Sequence, residues 1–480
     1  MMQQYYSVVK NPSAVWVNRL MIQPRIDSQY YRTDFVENEY KIEQIGCEKL
    51  GEIIERGDYG VLPDSEDYCE KGVPLIRGTN LRDLTIDDKE VIRVPKDYLT
   101  SKSEIQHRDI LILIKGATID AEWSVAIVPN IRESMIYNGS IFRVRVKTGY
   151  DPYYITAFMS TKYFLLQKTR AISNTGIYYN DKNSLENFMI AIPSPEIQKY
   201  IGDKVRRAEE LREEAKRLKE ETEDLIINKL GTINLEENRN YSSAFISSGK
   251  IVERIDSEYY HLKYLKIEDE LNRKGYKVKK LGEVCTRIFN GRTYSTTDKE
   301  RKYCNVGVGE LGDWFVNKSK EKFINEKVDK KYCLKANSII WGNAAHLAKY
   351  IGEKVNIVLE EETVIPTTEV TATEPNEEAI DPYYLFIFMR TQWGYYQIQR
   401  TVKGMTAHSY PQDISNILVP IIDLTNEELE VLKNNVITSY KNELNAKQLI
   451  QQAKQDVEDL IEGNFDMSKL DNNYTAESRC

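Results

Sequence analysis

Two stretches of the chain repeat an apolar position every third or fourth residue for far longer than an ordinary globular helix. In residues 195–230 the positions are Ile197, Ile201, Val205, Ala208, Leu211, Ala215, Leu218 and Leu225, with Thr222 in step. In residues 426–462 they are Leu429, Leu432, Val436 and Tyr440, then Ala446, Ile450, Ala453, Val457 and Leu460. Such spacing lays a stripe along one face of a helix, the pattern of a coiled-coil seam. Two seams in one chain can pair with each other. Ser194-Pro195 and the Thr425/Glu428 capping box are helix starts, and Gly231 and Gly463 are helix stops.

Elsewhere the pattern shortens. Residues 109–114 and 141–146, and later 337–341 and 356–359, are brief apolar or alternating runs bounded by turn residues, which predicts strands. Asp151-Pro152 and Asp381-Pro382 predict helix starts, with the aspartate as cap and proline in the first turn.

These elements recur in order. Arg25-Ile26-Asp27-Ser28-Gln29-Tyr30-Tyr31 returns as Arg254-Ile255-Asp256-Ser257-Glu258-Tyr259-Tyr260, and Lys49-Leu50-Gly51-Glu52 as Lys280-Leu281-Gly282-Glu283. Asp151-Pro152-Tyr153-Tyr154 returns as Asp381-Pro382-Tyr383-Tyr384, Ala191-Ile192-Pro193 as Leu418-Val419-Pro420, and Glu223-Asp224-Leu225-Ile226 as Glu458-Asp459-Leu460-Ile461. The offsets stay between 227 and 235 residues, so one unit of about 230 residues is used twice. The expected fold is α+β (mixed α/β): two similar globules, each followed by a long helix, the helices pairing as an antiparallel coiled coil. The expected boundaries are 1–193 and 232–422 for the globules, 194–231 and 423–463 for the helices, and 464–480 for a tail. Between the repeated motifs the units diverge, residues 72–135 sharing little with 304–369.

Composition narrows the function. No apolar run approaches the length of a membrane span and the first ten residues lack a secretory pattern, so a cytoplasmic protein without membrane contact is expected. The six cysteines and four histidines are scattered, which predicts neither a metal centre nor a cofactor. Asp151-Pro152-Tyr153-Tyr154 resembles the Asp/Asn-Pro-Pro-Tyr/Phe motif of N6-adenine methyltransferases, but lacks the second proline, occurs twice as a helix cap, and follows no Gly-rich turn. No phosphate-binding loop is present. A non-catalytic chain is expected, and recognition remains. The net charge of −8 disfavours a free-standing nucleic-acid binder and leaves room for local basic loops.

Those loops hold the candidate DNA-binding residues: Arg77, Thr79, Asn80, Arg82, Lys115, Thr118, Arg170, Asn174 and Tyr178 in the first unit, and Arg292, Thr293, Asn343, His346, Lys349, Lys403, Thr406 and His408 in the second. Arginine and asparagine can bond base edges in pairs, and lysine and threonine commonly meet phosphates. A coiled-coil scaffold whose globules bind proteins stays open as the alternative.

The order globule, helix, globule, helix resembles the specificity subunit of type I restriction-modification systems over nearly the whole chain. The likeness includes Asp109-Ile110-Leu111-Ile112 with Lys115-Gly116-Ala117-Thr118, the Gly404 loop leading to Ile417-Leu418-Val419-Pro420, and the helix start Ile192-Pro193-Ser194-Pro195-Glu196-Ile197-Gln198. The resemblance implies two target recognition domains reading halves of a bipartite, asymmetric site on double-stranded DNA. It implies that the helices act as spacer and as dock for two adenine methyltransferase subunits, with a restriction translocase/nuclease joining them. The subunit-interface residues would then be those of the seams: Ile197, Ile201, Val205, Leu211, Leu218 and Leu225 with Leu429, Leu432, Val436, Tyr440, Ile450, Val457 and Leu460. A helix of about 35 residues is roughly 50 Å long, against about 34 Å for a turn of B-DNA.

Overall fold

In the computed structural model, which describes residues 6–10, 13–17, 22, 26–88, 91–172, 177–233, 246, 248–251, 254–317, 322–360 and 363–470, the two repeats fold on one plan. Contacts gather the chain into two units, residues 1–213 with 442–480 and residues 214–441.

The first unit contains α1 (Thr33–Ile45), β1 (Cys47–Lys49), β2 (Ile54–Tyr59), β3 (Ile110–Leu113), β4 (Val125–Ile127), β5 (Ile141–Val146), α2 (Pro152–Met159), α3 (Lys162–Arg170) and β6 (Met189–Ala191). Its main sheet is antiparallel in the order β4-β3-β5-β2, and β1 pairs with β6. The second unit contains α5 (Leu262–Arg273), β7 (Lys277–Lys280), β8 (Cys285–Asn290), β9 (Ser338–Gly342), β10 (Val355–Val358), β11 (Val370–Pro375), α6 (Pro382–Arg390), α7 (Gln392–Thr401) and β12 (Leu418–Ile421). Its sheet runs β10-β9-β11-β8, again antiparallel, with β7 on β12. Element for element the order is the same. Even the divergent stretches hold a matching small sheet: Val73–Ile76 lies parallel to Ile136–Tyr137, as Cys304–Val306 does to Val364–Pro366.

The repeated motifs turn out to be fasteners. Asp27 and Asp256 each accept a bond from the backbone of the tyrosine three residues on, and that tyrosine is held by an arginine from the last turn of α3 or α7. Arg170 donates to the Tyr30 carbonyl at 2.9 Å and to Glu39 at 2.8 Å, its guanidinium 4.1 Å from the Tyr30 ring centre. Arg400 donates to Tyr259 at 3.1 Å and to Glu268 at 2.7 Å, and lies 4.3 Å over the Tyr259 ring. Asp151 and Asp381 cap α2 and α6, and the second tyrosine of each motif sends its hydroxyl to a strand, Tyr154 to the Ala191 carbonyl and Tyr384 to that of Pro420. Gln167 brackets the backbone of Met189 with two bonds, and Gln397 does the same to Leu418. Lys49 reaches Asn187 as Lys280 reaches Asn416. Gly60 and Gly291 stand at matching turns where a Cβ would lie 2.2 Å from the Tyr137 carbonyl oxygen and 1.8 Å from that of Pro366, so no side chain fits.

Arg170, placed by sequence among the DNA-facing residues, is therefore occupied inside its unit, because a planar guanidinium can bond a carbonyl and a carboxylate while stacking on a ring. Replacing Arg170 or Arg400 by alanine is expected to cost about 2 kcal/mol of stability, through the stranded glutamate and lost stacking. Urea unfolding would check it; unchanged stability would refute the clamp.

The long helices are α4 (Pro195–Leu230) and α8 (Asn426–Glu462). Gly231 and Gly463 end them with φ of 74° and 76°, and Thr425 and Glu428 exchange capping bonds at the start of α8. The boundary between the compact units falls within both helices. In the first unit Ile197, Ile201, Val205, Ala208 and Leu211 share one core with Ala446, Ile450, Ala453, Val457 and Leu460, and with Tyr154 and Phe158 of α2. The pairing is antiparallel, Lys204 meeting the buried Asp456 and the Tyr200 ring lying 6.0 Å from that of Phe465. In the second unit Ile226 and Leu230 join Leu432 and Val436 beside Tyr384 and Phe388. There Lys229 bonds Glu428 at 2.8 Å, Thr222 accepts from Asn435 at 3.1 Å and Ser439 donates to Ala215, again antiparallel.

The seam departs from its expected phase at its edges. Ile226 is fully buried while Leu225 and Leu429 are half-buried, since a straight helix drifts against a strict seven-residue repeat and also packs on its globule. Tyr440 sits half-buried against the edge of the second unit's core, its ring 5.0 Å from that of Phe315 and its hydroxyl bonding Glu360. Ile197, Ile201, Val205, Leu211, Leu218, Leu432, Val436, Ile450, Val457 and Leu460 are all buried within the chain. The outward helix faces expose Arg207, Glu210, Arg217, Glu221 and Val431.

Candidate nucleic-acid interface

The candidate loops assemble within each unit into a rim at one end of its main sheet. In the first unit the Lys115–Thr118 loop follows β3 directly and runs beside the chain before β6: Lys115 bridges Tyr179, the Gly116 N–H donates to the Tyr178 carbonyl at 3.1 Å, and Asn180 N–H to that of Ile114 at 3.0 Å. Gly116 has a φ of 124°, which lets the loop turn tightly. Lys115, Ala117, Thr118 and Tyr178 are exposed. The Arg77–Asn80 turn packs close above, since a Cβ on Gly78 would meet the Leu113 side chain at 2.6 Å. Thr79 is exposed there and Arg77 half-buried.

Asn80 is not free to read a base. It is buried, accepts from the Arg77 N–H at 3.0 Å and donates to the Asp87 carbonyl at 3.2 Å, so it shapes the turn that carries Arg77 and Thr79. Arg82 lies on the neighbouring Leu81–Arg82/Thr85–Ile86 hairpin, exposed and 3.8 Å from Asp87. Asn174 lies outside the described residues.

In the second unit the rim is a continuous hydrogen-bonded set. The hydroxyls of Thr293 and Thr368 lie 3.1 Å apart, Asn343 donates to the Thr368 carbonyl and to Thr371, and the backbone of Asn343–Ala345 pairs with Ala407–Ser409. Asn343 is only 1% exposed, so it too supports the rim from beneath. Arg292, Thr293, His346, Lys349 and Thr406 are exposed. Lys403 pairs with Asp413 at 2.6 Å, and the ring of the half-buried His408 stacks on Tyr410. Between its backbone groups Lys403 and His408 close a tight turn, bonding in both directions at 2.8 and 3.1 Å.

The rims differ in what they present. Leu62, 77% exposed, stands in the first unit at the turn that carries Arg292-Thr293 in the second. Thr368, Leu347, Met405 and Tyr410 also belong to the second rim and were not singled out by sequence, where each reads as an ordinary turn residue. Only Met405, an apolar residue inside Lys-Gly-Met-Thr, broke the pattern visibly.

Beneath the first rim lies Lys168 of α3, fully buried, its amine donating to Ser124 at 2.7 Å and its carbonyl accepting from Asn180. Burial pushes the amine down to about 7, with Asp120 opposing weakly. Ile398 holds the matching place in the second unit. The unfolded chain then binds a proton that the folded chain does not between pH 7 and about 10.5, so Lys168 makes stability rise across that window. Lys168→Ile should be the more stable form near neutrality, its advantage shrinking by about 1 kcal/mol per pH unit as pH rises. Urea unfolding at pH 7 and 9.5 measures this, and parallel profiles for the two proteins would refute it.

Among the described residues no group of three or more His, Cys, Asp or Glu is placed to hold a metal ion, and no helix is long and apolar enough to cross a membrane. No protein-family model and no curated protein matches the chain. Among solved structures it is similar to the type I restriction-modification system S subunit from M. genitalium, with a TM-score of 0.42 at 13% identity, covering 88% of this chain and 96% of that one. It is also similar to the HsdS subunit from Thermoanaerobacter tengcongensis, with a TM-score of 0.29 at 13% identity, covering 87% and 97%.

Proposed function

We propose that this chain is a non-catalytic DNA-specificity subunit that reads a bipartite, asymmetric sequence, one half with each rim. The observation that carries this reading is one frame built twice with the same fasteners and finished with two different rims. A protein that must recognise two unlike half-sites needs that combination of fixed scaffold and varied surface. The exposed Lys115 and Thr118 of one unit, and Arg292, Lys349 and Thr406 of the other, supply cations and hydroxyls for phosphates and base edges on a chain whose overall charge is negative.

The partners would be double-stranded DNA and two adenine methyltransferase subunits seated on the outward faces of α4 and α8, with a restriction translocase/nuclease completing the assembly. Those subunits would bring the methyl-transfer and ATP-driven chemistry, and this chain would choose the site. Expressing the chain with a methyltransferase encoded beside it and sequencing the methylated genome tests the reading. Adenine methylation in a split motif that vanishes when this chain is deleted is the expected result; methylation that survives the deletion overturns it.

A further inference from the structure

The turn Lys403–His408 carries a feature that hydrogen bonding and charge leave unexplained. Met405 at its tip is 106% exposed, touching nothing that shields it from water. A methionine left in solvent forgoes about 1.5–3 kcal/mol that burial would provide. The turn that holds it there is nonetheless built rigidly. Gly404 takes a φ of 87°, Lys403 and His408 bond each other's backbones in both directions, Ala345 N–H donates to the Ala407 carbonyl, and Ser409, itself bonded to Thr401, donates to the carbonyl of buried Asn343. The apolar tip is thus presented, held out from a frame that has no slack.

Its surroundings fit one occupant. Arg292, Lys349, Thr293, Thr368 and Thr406 are exposed on the same rim, where Lys403 is paired with Asp413 and His408 stacks on Tyr410. A rim that offers exposed cations and hydroxyls beside the apolar side chains of Leu347, Met405 and Tyr410 matches a duplex, whose charged backbones flank apolar base surfaces. Met is long, unbranched and polarizable, suited to a base face or a thymine methyl.

Resting on the DNA-reading function proposed above, we infer that Met405 is a specificity-determining residue that makes an apolar contact with a base of the half-site read by the second unit. The contact is either with a thymine methyl or with the face of a base whose stack it opens.

The test uses the full chain in complex with its methyltransferase and a duplex carrying the motif found by methylation sequencing. Met405→Ala should weaken binding of that duplex about tenfold, and Met405→Leu should restore it. Replacing thymidine by deoxyuridine through the half-site should reproduce the loss in the parent at one position and have no effect in Met405→Ala if a methyl is read. 2-Aminopurine in the half-site should brighten on binding the parent and stay dark with Met405→Ala if a base is unstacked. Either pattern supports the assignment. Equal affinity and equal methylation of the same motif by parent and Met405→Ala would overturn it while leaving the DNA-reading function standing. A parent complex that methylates no split motif would instead remove that function. Met405 is fully exposed, so Met405→Ala is expected to fold as the parent does.

Discussion

A glutamate in place of Val205 or Val436 is expected to unfold the segment of helix pair that carries it and, on the proposed DNA-reading function, to abolish methylation at every site. Val205 is 2% exposed in the core that joins Ile201 and Leu211 to Ile450 and Val457; Val436 is fully buried beside Leu432, Ile226 and Leu230. A carboxylate at either place loses its hydration among apolar neighbours, a cost of about 4 kcal/mol, comparable with the whole stability of a marginal domain. Because these helix segments share their cores with the globules, the damage would extend from the helices into the sheets. Urea unfolding, copurification with the methyltransferase and methylation sequencing are the measurements. A stable Val436→Glu chain whose complex still methylates its motif would show that the helix pair does not organise the protein.

The second large effect is expected at the second rim. Replacing His346, Lys349, Thr406 and His408 together by alanine should erase discrimination in one half of the methylated motif and leave the other half as it was. Each base contact is worth about 1–3 kcal/mol, so the loss of two or more should lower methylation of the parent motif by a hundredfold or beyond. None of the four belongs to a repeated fastener, and each side chain lies at the surface or half-buried, so the fold of the unit should survive. A change in both halves of the motif, or in neither, would contradict the division of labour between units.

The sequence made the helices, their caps and the duplication legible, since each is a local pattern or a literal repeat. What it hid was the purpose of the repeats. Arg170 and Glu39 are 131 positions apart, and Arg400 and Glu268 are 132 apart. No window along the chain connects them, so Arg170 looked like a loop cation. Asn80 and Asn343 misled for a related reason: an asparagine that satisfies buried backbone and one that reads DNA have the same composition around them, and only burial separates them. The parallel pairs of the small sheets are not legible because their strands are two to four residues long and their partners lie some 60 residues away. Tyr440 kept the seam spacing but turned outward to Glu360, a choice made by tertiary contact rather than periodicity.

The twin fasteners bear on how such a chain can change over generations. Each copy closes its own unit without borrowing a residue from the other, so selection must preserve Arg170 with Tyr30 and Glu39, and separately Arg400 with Tyr259 and Glu268. The rims contribute little to that closure. Mutations there escape the penalty that guards the fasteners, and one unit's preferences can drift or be exchanged by recombination while its sibling stays as it was. On the proposed function, a lineage carrying this gene could acquire a new combination of half-sites without passing through an unfolded ancestor.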